Sequence, residues 1–98
     1  SDPTFIHDRD YEWLKGADCC VFEISNPSLG VGGEISDAIY LAKPVLCLFK
    51  KGSEDSVSGY IRGKQGSRFV EGAFQASAYS TLDEAKMILQ AFIENYYH

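Results

Sequence analysis

Apolar residues along the chain follow two rhythms. Cys19-Cys20-Val21-Phe22 and Val45-Leu46-Cys47-Leu48-Phe49 are short unbroken runs, bounded by polar or turn-forming residues. Runs of that kind are typical of parallel strands covered on both faces, so strands are predicted over 18–25 and 45–49. Between them lies Ser25-Asn26-Pro27-Ser28-Leu29-Gly30-Val31-Gly32-Gly33, which reads as a turn. Ile35, Ala38, Ile39 and Ala42 then recur at helical spacing and predict a helix over about 34–42, with Glu34 in its first turn. Pro44 ends that helix, because the residue before a proline is pushed out of helical geometry. Strand, helix and strand together make a βαβ unit.

The flanking segments complete this unit. Residues 3–16 read as a helix that Pro3 opens and Gly16 closes in a left-handed stop. Ile6, Trp13, Leu14 and Ala17 form its buried stripe, with Asp10 on the same stripe and His7 and Asp8 off it, in solvent. A carboxylate on a buried stripe needs a partner or a pocket. Glu23, near the end of the first strand, is read as structural. A polar loop over 50–56 leads to a short helical turn over 57–63 and a loop over 64–67. A short strand is expected at Arg68-Phe69-Val70-Glu71, and residues 72–80 have no clear pattern. Thr81-x-x-Glu84 is a capping box opening a last helix, whose stripe is Leu82, Ala85, Leu89, Phe92, Ile93 and Tyr96. The order predicts one α/β domain over 1–98, a Rossmann-like (flavodoxin-like) parallel sheet with helices on both faces. Three strands are few for such a sheet, so the domain is expected to be N-terminally incomplete, short of an earlier βα unit.

Composition narrows the function classes. A net charge of −5 argues against a broad nucleic-acid surface, which would be basic, although backbone N–H groups still admit a small anion. Cys19, Cys20 and Cys47 sit in apolar runs, an arrangement of reduced, buried thiols rather than a zinc site. No apolar run approaches the ~20 residues needed to span a bilayer, and no basic-then-apolar leader opens the chain. The expected location is intracellular and cytoplasmic, with the nucleus as an alternative. No metal or cofactor is called for.

The candidate chemistry sits in the 25–34 stretch. In open α/β sheets ligands bind beyond the carboxyl ends of the strands, where this turn falls. Gly30, Gly32 and Gly33 allow close backbone approach, Ser28 supplies a hydroxyl, and the helix start offers unpaired N–H groups. The pattern reads either as a phosphate cradle or as an ordinary tight turn. It is neither the dinucleotide fingerprint nor a Walker loop, since Ile35 occupies the last position and no Gly-Lys-Ser/Thr follows. Glu34 beside a ligand-sized opening, with Asp10 as a second acid, suggests glycosyl chemistry by a pair of carboxylates. The alternative is structural: Glu34 as a helix-start acid and Asp10 as a cap or salt-bridge partner.

Ile6-His7-Asp8-Arg9-Asp10-Tyr11-Glu12-Trp13-Leu14, Ala17-Asp18 and Asn26-Pro27-Ser28-Leu29-Gly30-Val31-Gly32-Gly33-Glu34 resemble the nucleoside deoxyribosyltransferase-like family. Lys43–Phe49, Ser58–Gly63 and Gly66–Phe69 extend the resemblance over nearly the whole chain. It implies hydrolysis of the N-glycosidic bond of a 2′-deoxynucleoside 5′-monophosphate, giving a free base and 2-deoxyribose 5-phosphate. It further implies Glu34 as nucleophile, Asp10 as the orienting acid, and Ser28 and Gly30 as phosphate-binding positions. Ser58 matches a serine given to the neighbour's phosphate site in a homodimer. Tyr60 stands where the family carries a methionine lining the neighbour's pocket. The family's opening strand, glycine loop and helix have no counterpart in the chain. Two other readings remain, a deoxyribosyltransferase for unphosphorylated nucleosides and a non-catalytic nucleotide-binding or dimerisation module.

Overall fold

A computed structural model describes residues 2–96. Its centre is β2 (Val45–Lys50). Val45, Cys47 and Phe49 point to one face and Leu46 and Leu48 to the other, and all five are buried. The two-residue repeat of a strand makes both faces apolar in an unbroken run, as the sequence predicts. β1 (Cys20–Glu23) lies along one side and β3 (Phe74–Tyr79) along the other, both parallel to β2. Cys20 and Phe74 both stand opposite Val45.

Helices cover both faces. α1 (Pro3–Gly16) and α2 (Leu29–Tyr40) share one side, where Leu14, Ile35 and Ala38 pack with Val45, Cys47 and Phe49. α4 (Leu82–Tyr96) takes the other, seating Ala85 and Phe92 against Leu46 and Leu48. A 3₁₀ turn at Glu54–Ser56 and the short helix α3 (Gly59–Arg62) lie on the connection from β2 to β3. The predicted α/β architecture with a parallel sheet is the one observed.

Several local expectations need correction. The helix predicted over 34–42 starts five residues earlier, at Leu29, so Gly30, Gly32 and Gly33 are helical and Glu34 lies beyond the first turn. Ser28 causes this: its Oγ accepts the Val31 N–H at 3.2 Å and its carbonyl accepts the Gly32 N–H at 3.0 Å. Each interior glycine costs a helix about 1 kcal/mol relative to alanine. The cap and the burial of Ile35 and Ala38 outweigh that cost. The third strand is Phe74–Tyr79, not 68–71. Phe69 is exposed with the Arg68 guanidinium 4.5 Å from its ring centre, and Gly72 turns the chain at φ +87° before the strand begins. Ala-Ser-Ala at 76–78 is a weak strand former, and pairing with β2 overrides its propensity.

Gly16 does not make a left-handed stop either; α1 ends into extended Ala17. On α1 only Leu14 is fully buried. Ile6 is exposed, and Trp13 is 65% exposed with Arg9 lying 4.8 Å over its ring. On α4, Leu82, Ile93 and Tyr96 are also exposed, whereas Ala85 and Phe92 are buried and Leu89 packs partly against them. The capping box forms with a shift: Thr81 Oγ1 accepts the Glu84 N–H, but the Glu84 carboxylate reaches back to the Ser80 N–H. Cys20 and Cys47 are buried free thiols, and burial pushes the Cys47 thiol up to about 12; Cys19 is only half-buried.

α2 ends in a Schellman turn. The Lys43 N–H reaches the Ala38 carbonyl at 3.0 Å and the Ala42 N–H reaches Ile39 at 2.9 Å, with Ala42 at φ +59°. Alanine in the left-handed region carries a steric cost of about 1–2 kcal/mol that glycine escapes. Ala42→Gly is therefore expected to stabilise the domain by about 0.5–1 kcal/mol, net of its greater freedom in the unfolded chain. A urea titration checks this, and an unchanged or lower midpoint contradicts it.

Candidate active site

Two amphipathic rows facing each other build a cleft between α1 and α2. From α1 come His7, Asp10, Tyr11 and Leu14, and from α2 come Gly30, Gly33, Glu34 and Asp37. Both sets follow the i, i+3, i+4, i+7 rule of a single helix face. The cleft holds about 290 Å³, and Leu29 also lines it. Asp10 and Glu34 therefore line the same cleft.

The electrostatics of this cleft are unfavourable for charge. Burial raises the Glu34 carboxyl above its ordinary value, and the neighbouring Asp10 and then Asp37 charges raise it further. Asp10 is 28% exposed and takes an ion pair from Arg9 at 3.2 Å, so it has both a partner and a pocket. A carboxylate whose charge is disfavoured is readily neutralised by a cation or by bond formation.

A second, larger cavity of about 570 Å³ lies on the other side of the start of α2. Its apolar wall includes Ile24, Pro27, Val31 and Ile61, and Ser28, Ser36, Ser56 and Ser58 give it hydroxyls. Ser28 Oγ accepts the Val31 N–H and so keeps its own proton for a ligand. Lys64 also lines this cavity, its ammonium 4.5 Å over the Tyr60 ring. Leu29 and Gly33 line both cavities, and Leu29 is 99% exposed on the wall between them. A Cβ added at Gly32 or Gly33 meets no atom within 4 Å, so backbone at the helix start is open to a ligand.

The six residues expected at a site thus divide into two groups. Asp10, Glu34 and Gly30 share the carboxylate cleft, and Ser28, Ser58 and Tyr60 share the hydroxyl-lined cavity. Helical spacing counted outward from Asp10 and Glu34 would have found three further lining residues, His7, Tyr11 and Asp37. His7 is exposed, as expected, and also lies on the cleft edge with Nδ1 3.0 Å from Asp8. Lys64 carried no sequence signal, because only the fold of the 58–64 segment brings it to the hydroxyl-lined cavity. Among the described residues no cluster of three or more His, Cys, Asp or Glu is placed to hold a metal ion. Among them, too, no helix is long and apolar enough to cross a membrane.

Comparison with known proteins gives a consistent set of relatives. No family model matches the chain. The 5-hydroxymethyl-dUMP N-hydrolase of Mus musculus is 44% identical over 93 residues, covering 94% of this chain and 50% of the mouse protein. The protein of the same name from Tetraodon nigroviridis is 41% identical over 92 residues, 93% of this chain and 61% of its own. Among solved structures, the CMP N-glycosidase of Clostridium botulinum superposes with a TM-score of 0.75 at 20% identity, over 94% of this chain and 71% of that one. The chain spans about half the length of the curated relatives it matches. Over that half it is similar in sequence to the 5-hydroxymethyl-dUMP N-hydrolases, and it shares the fold of the Clostridium botulinum protein.

Proposed function

We propose that the chain carries the catalytic carboxylates of an N-hydrolase for 2′-deoxynucleoside 5′-monophosphates. The observation that carries this reading is that Asp10 and Glu34 line one cleft against the start of α2. The names of its relatives supply the substrate class, a deoxynucleotide cleaved at its N-glycosidic bond.

In this mechanism the Glu34 carboxylate attacks C1′ of the deoxyribose. The C1′–N bond breaks, its electron pair leaves with the base, and Asp10 assists proton transfer to that base. Water then opens the glycosyl ester, releasing 2-deoxyribose 5-phosphate and freeing Glu34. The phosphate is held by Ser28 and backbone N–H groups near Gly30, where the positive end of α2 favours an anion. Ser58 and Tyr60 share the cavity of Ser28, and with it they make up the phosphate site that a homodimer completes.

The test compares a 2′-deoxynucleoside 5′-monophosphate with the same nucleoside lacking phosphate, following base release by chromatography. Base release only from the monophosphate is expected. Equal turnover of both, or transfer of deoxyribose to an added base, would favour a deoxyribosyltransferase.

A further inference from the structure

We propose that Glu23, acting through Ser25, is the positioning residue that sets the two serine-bearing segments of the site, 26–28 and 56–58, against each other. This rests on the assignment of Ser28 and Ser58 to phosphate binding. Ser25 is the one buried polar side chain among the described residues, and each of its polar atoms has a partner. Its N–H donates to Glu23 Oε1 at 2.6 Å and its Oγ donates to Glu23 Oε2 at 2.8 Å. That Oγ also accepts the Lys50 N–H at 2.8 Å, and the Ser25 carbonyl accepts from Ser56 Oγ at 2.9 Å. Ser56 shares that proton with the Ser53 carbonyl, also at 2.9 Å.

Glu23 completes the arrangement from the far side, because the Tyr79 hydroxyl donates to its Oε2. The network joins the ends of all three strands: Glu23 ends β1, Lys50 ends β2 and Tyr79 ends β3. From this junction the chain reaches Ser28 in three residues, and from Ser56 it reaches Ser58 in two. Ser28 and Ser58 are both helix caps, accepting from Val31 and Ile61. Their hydroxyls are thus fixed to helix starts, and the junction fixes the segments leading into those starts. Ser56, a member of the junction, and Ile24, the neighbour of Ser25, line the same cavity as Ser28 and Ser58. Burial alone would raise the Glu23 carboxyl, but the bonds from Tyr79 and Ser25, with the Lys50 charge, hold it below its ordinary value. It stays an acceptor for every donor aimed at it.

Tyr79→Phe and Glu23→Gln test this in the 98-residue chain. Each removes one or more bonds at the junction without touching Ser28 or Ser58. Amide exchange followed by NMR is expected to speed up about tenfold at Gly32, Lys50, Val57 and Arg62, as loss of one net hydrogen bond implies, with α4 amides unchanged. Affinity for a 2′-deoxynucleoside 5′-monophosphate is expected to fall about tenfold by the same bond, while affinity for the unphosphorylated nucleoside holds. Exchange that is unchanged, or that rises equally through α4, overturns the proposal, and so does an equal loss for both ligands. A wild-type chain that does not discriminate by phosphate would refute the monophosphate assignment instead, and the exchange pattern alone would then decide the role of Glu23.

Discussion

Replacing Glu34 with glutamine is expected to cut base release by on the order of 10³-fold or more, the scale seen when a covalent nucleophile is removed. The same change should make the domain more stable at neutral pH. Burial, then Asp10 and Asp37, raise the Glu34 carboxyl in the folded chain. An acid raised on folding favours the fold below its unfolded value, and that contribution disappears as pH climbs through the folded value. At pH 7 the ionised Glu34 is therefore at its least favourable, and a neutral isostere relieves it. Urea midpoints should differ at pH 7 and converge toward pH ~4, where carboxylates become neutral. Activity runs the other way: the attacking group must be ionised, so turnover falls on the acid side above the ordinary glutamate range. Asp37→Asn removes one of the crowding charges and should shift that limb to lower pH. Normal turnover by Glu34→Gln excludes it as nucleophile, and a lowered midpoint at pH 7 contradicts the crowding.

Phe92→Ala should be the most damaging core substitution on the α4 side. Phe92 is 1% exposed and is the largest member of a small cluster whose other buried members are Leu46, Leu48 and Ala85. Its ring also meets Tyr96 at 4.8 Å between centroids. Emptying such a position costs about 3–5 kcal/mol, against a total of roughly 5–15 kcal/mol for a domain of this size. Urea melts should show at least about half of a modest stability gone, with Phe92→Leu far milder because most of the volume stays. A loss below about 1 kcal/mol, the scale of a half-exposed site, would mean that α4 is not anchored through this ring.

Much of the fold was legible because it rests on burial. β2 reads directly from Val45–Phe49, since a strand covered on both faces leaves no polar position inside it. α4 announces itself through Thr81 and Glu84, a local device that needs no tertiary partner. Legibility fails where local chemistry and distant packing disagree. Three glycines argue for a turn at 30–33, but a serine cap and two buried residues downstream make it helix. Phe69-Val70 is the better strand by composition, yet Phe74–Tyr79 is the segment that reaches the open side of β2. Trp13 and Ile6 look like core residues by spacing, although the inward face of α1 is only one leucine wide. At the site, Asp10 and Glu34 were recognisable as acids of one cleft. That Ser28 and Ser58 lie across α2 from them follows from helix rotation, which the sequence pattern did not resolve.

Arg9 links the carboxylate cleft to the outer face of α1. It holds Asp10 by an ion pair and lies over the indole of Trp13, the single tryptophan of the chain. Anything that engages Asp10 competes with Arg9 for the carboxylate and shifts a cation relative to that ring. Indole emission responds to a neighbouring charge and to the water around it, and this ring is already largely in solvent. The domain thus carries a built-in optical reporter of its carboxylate cleft, readable without a label and without turnover.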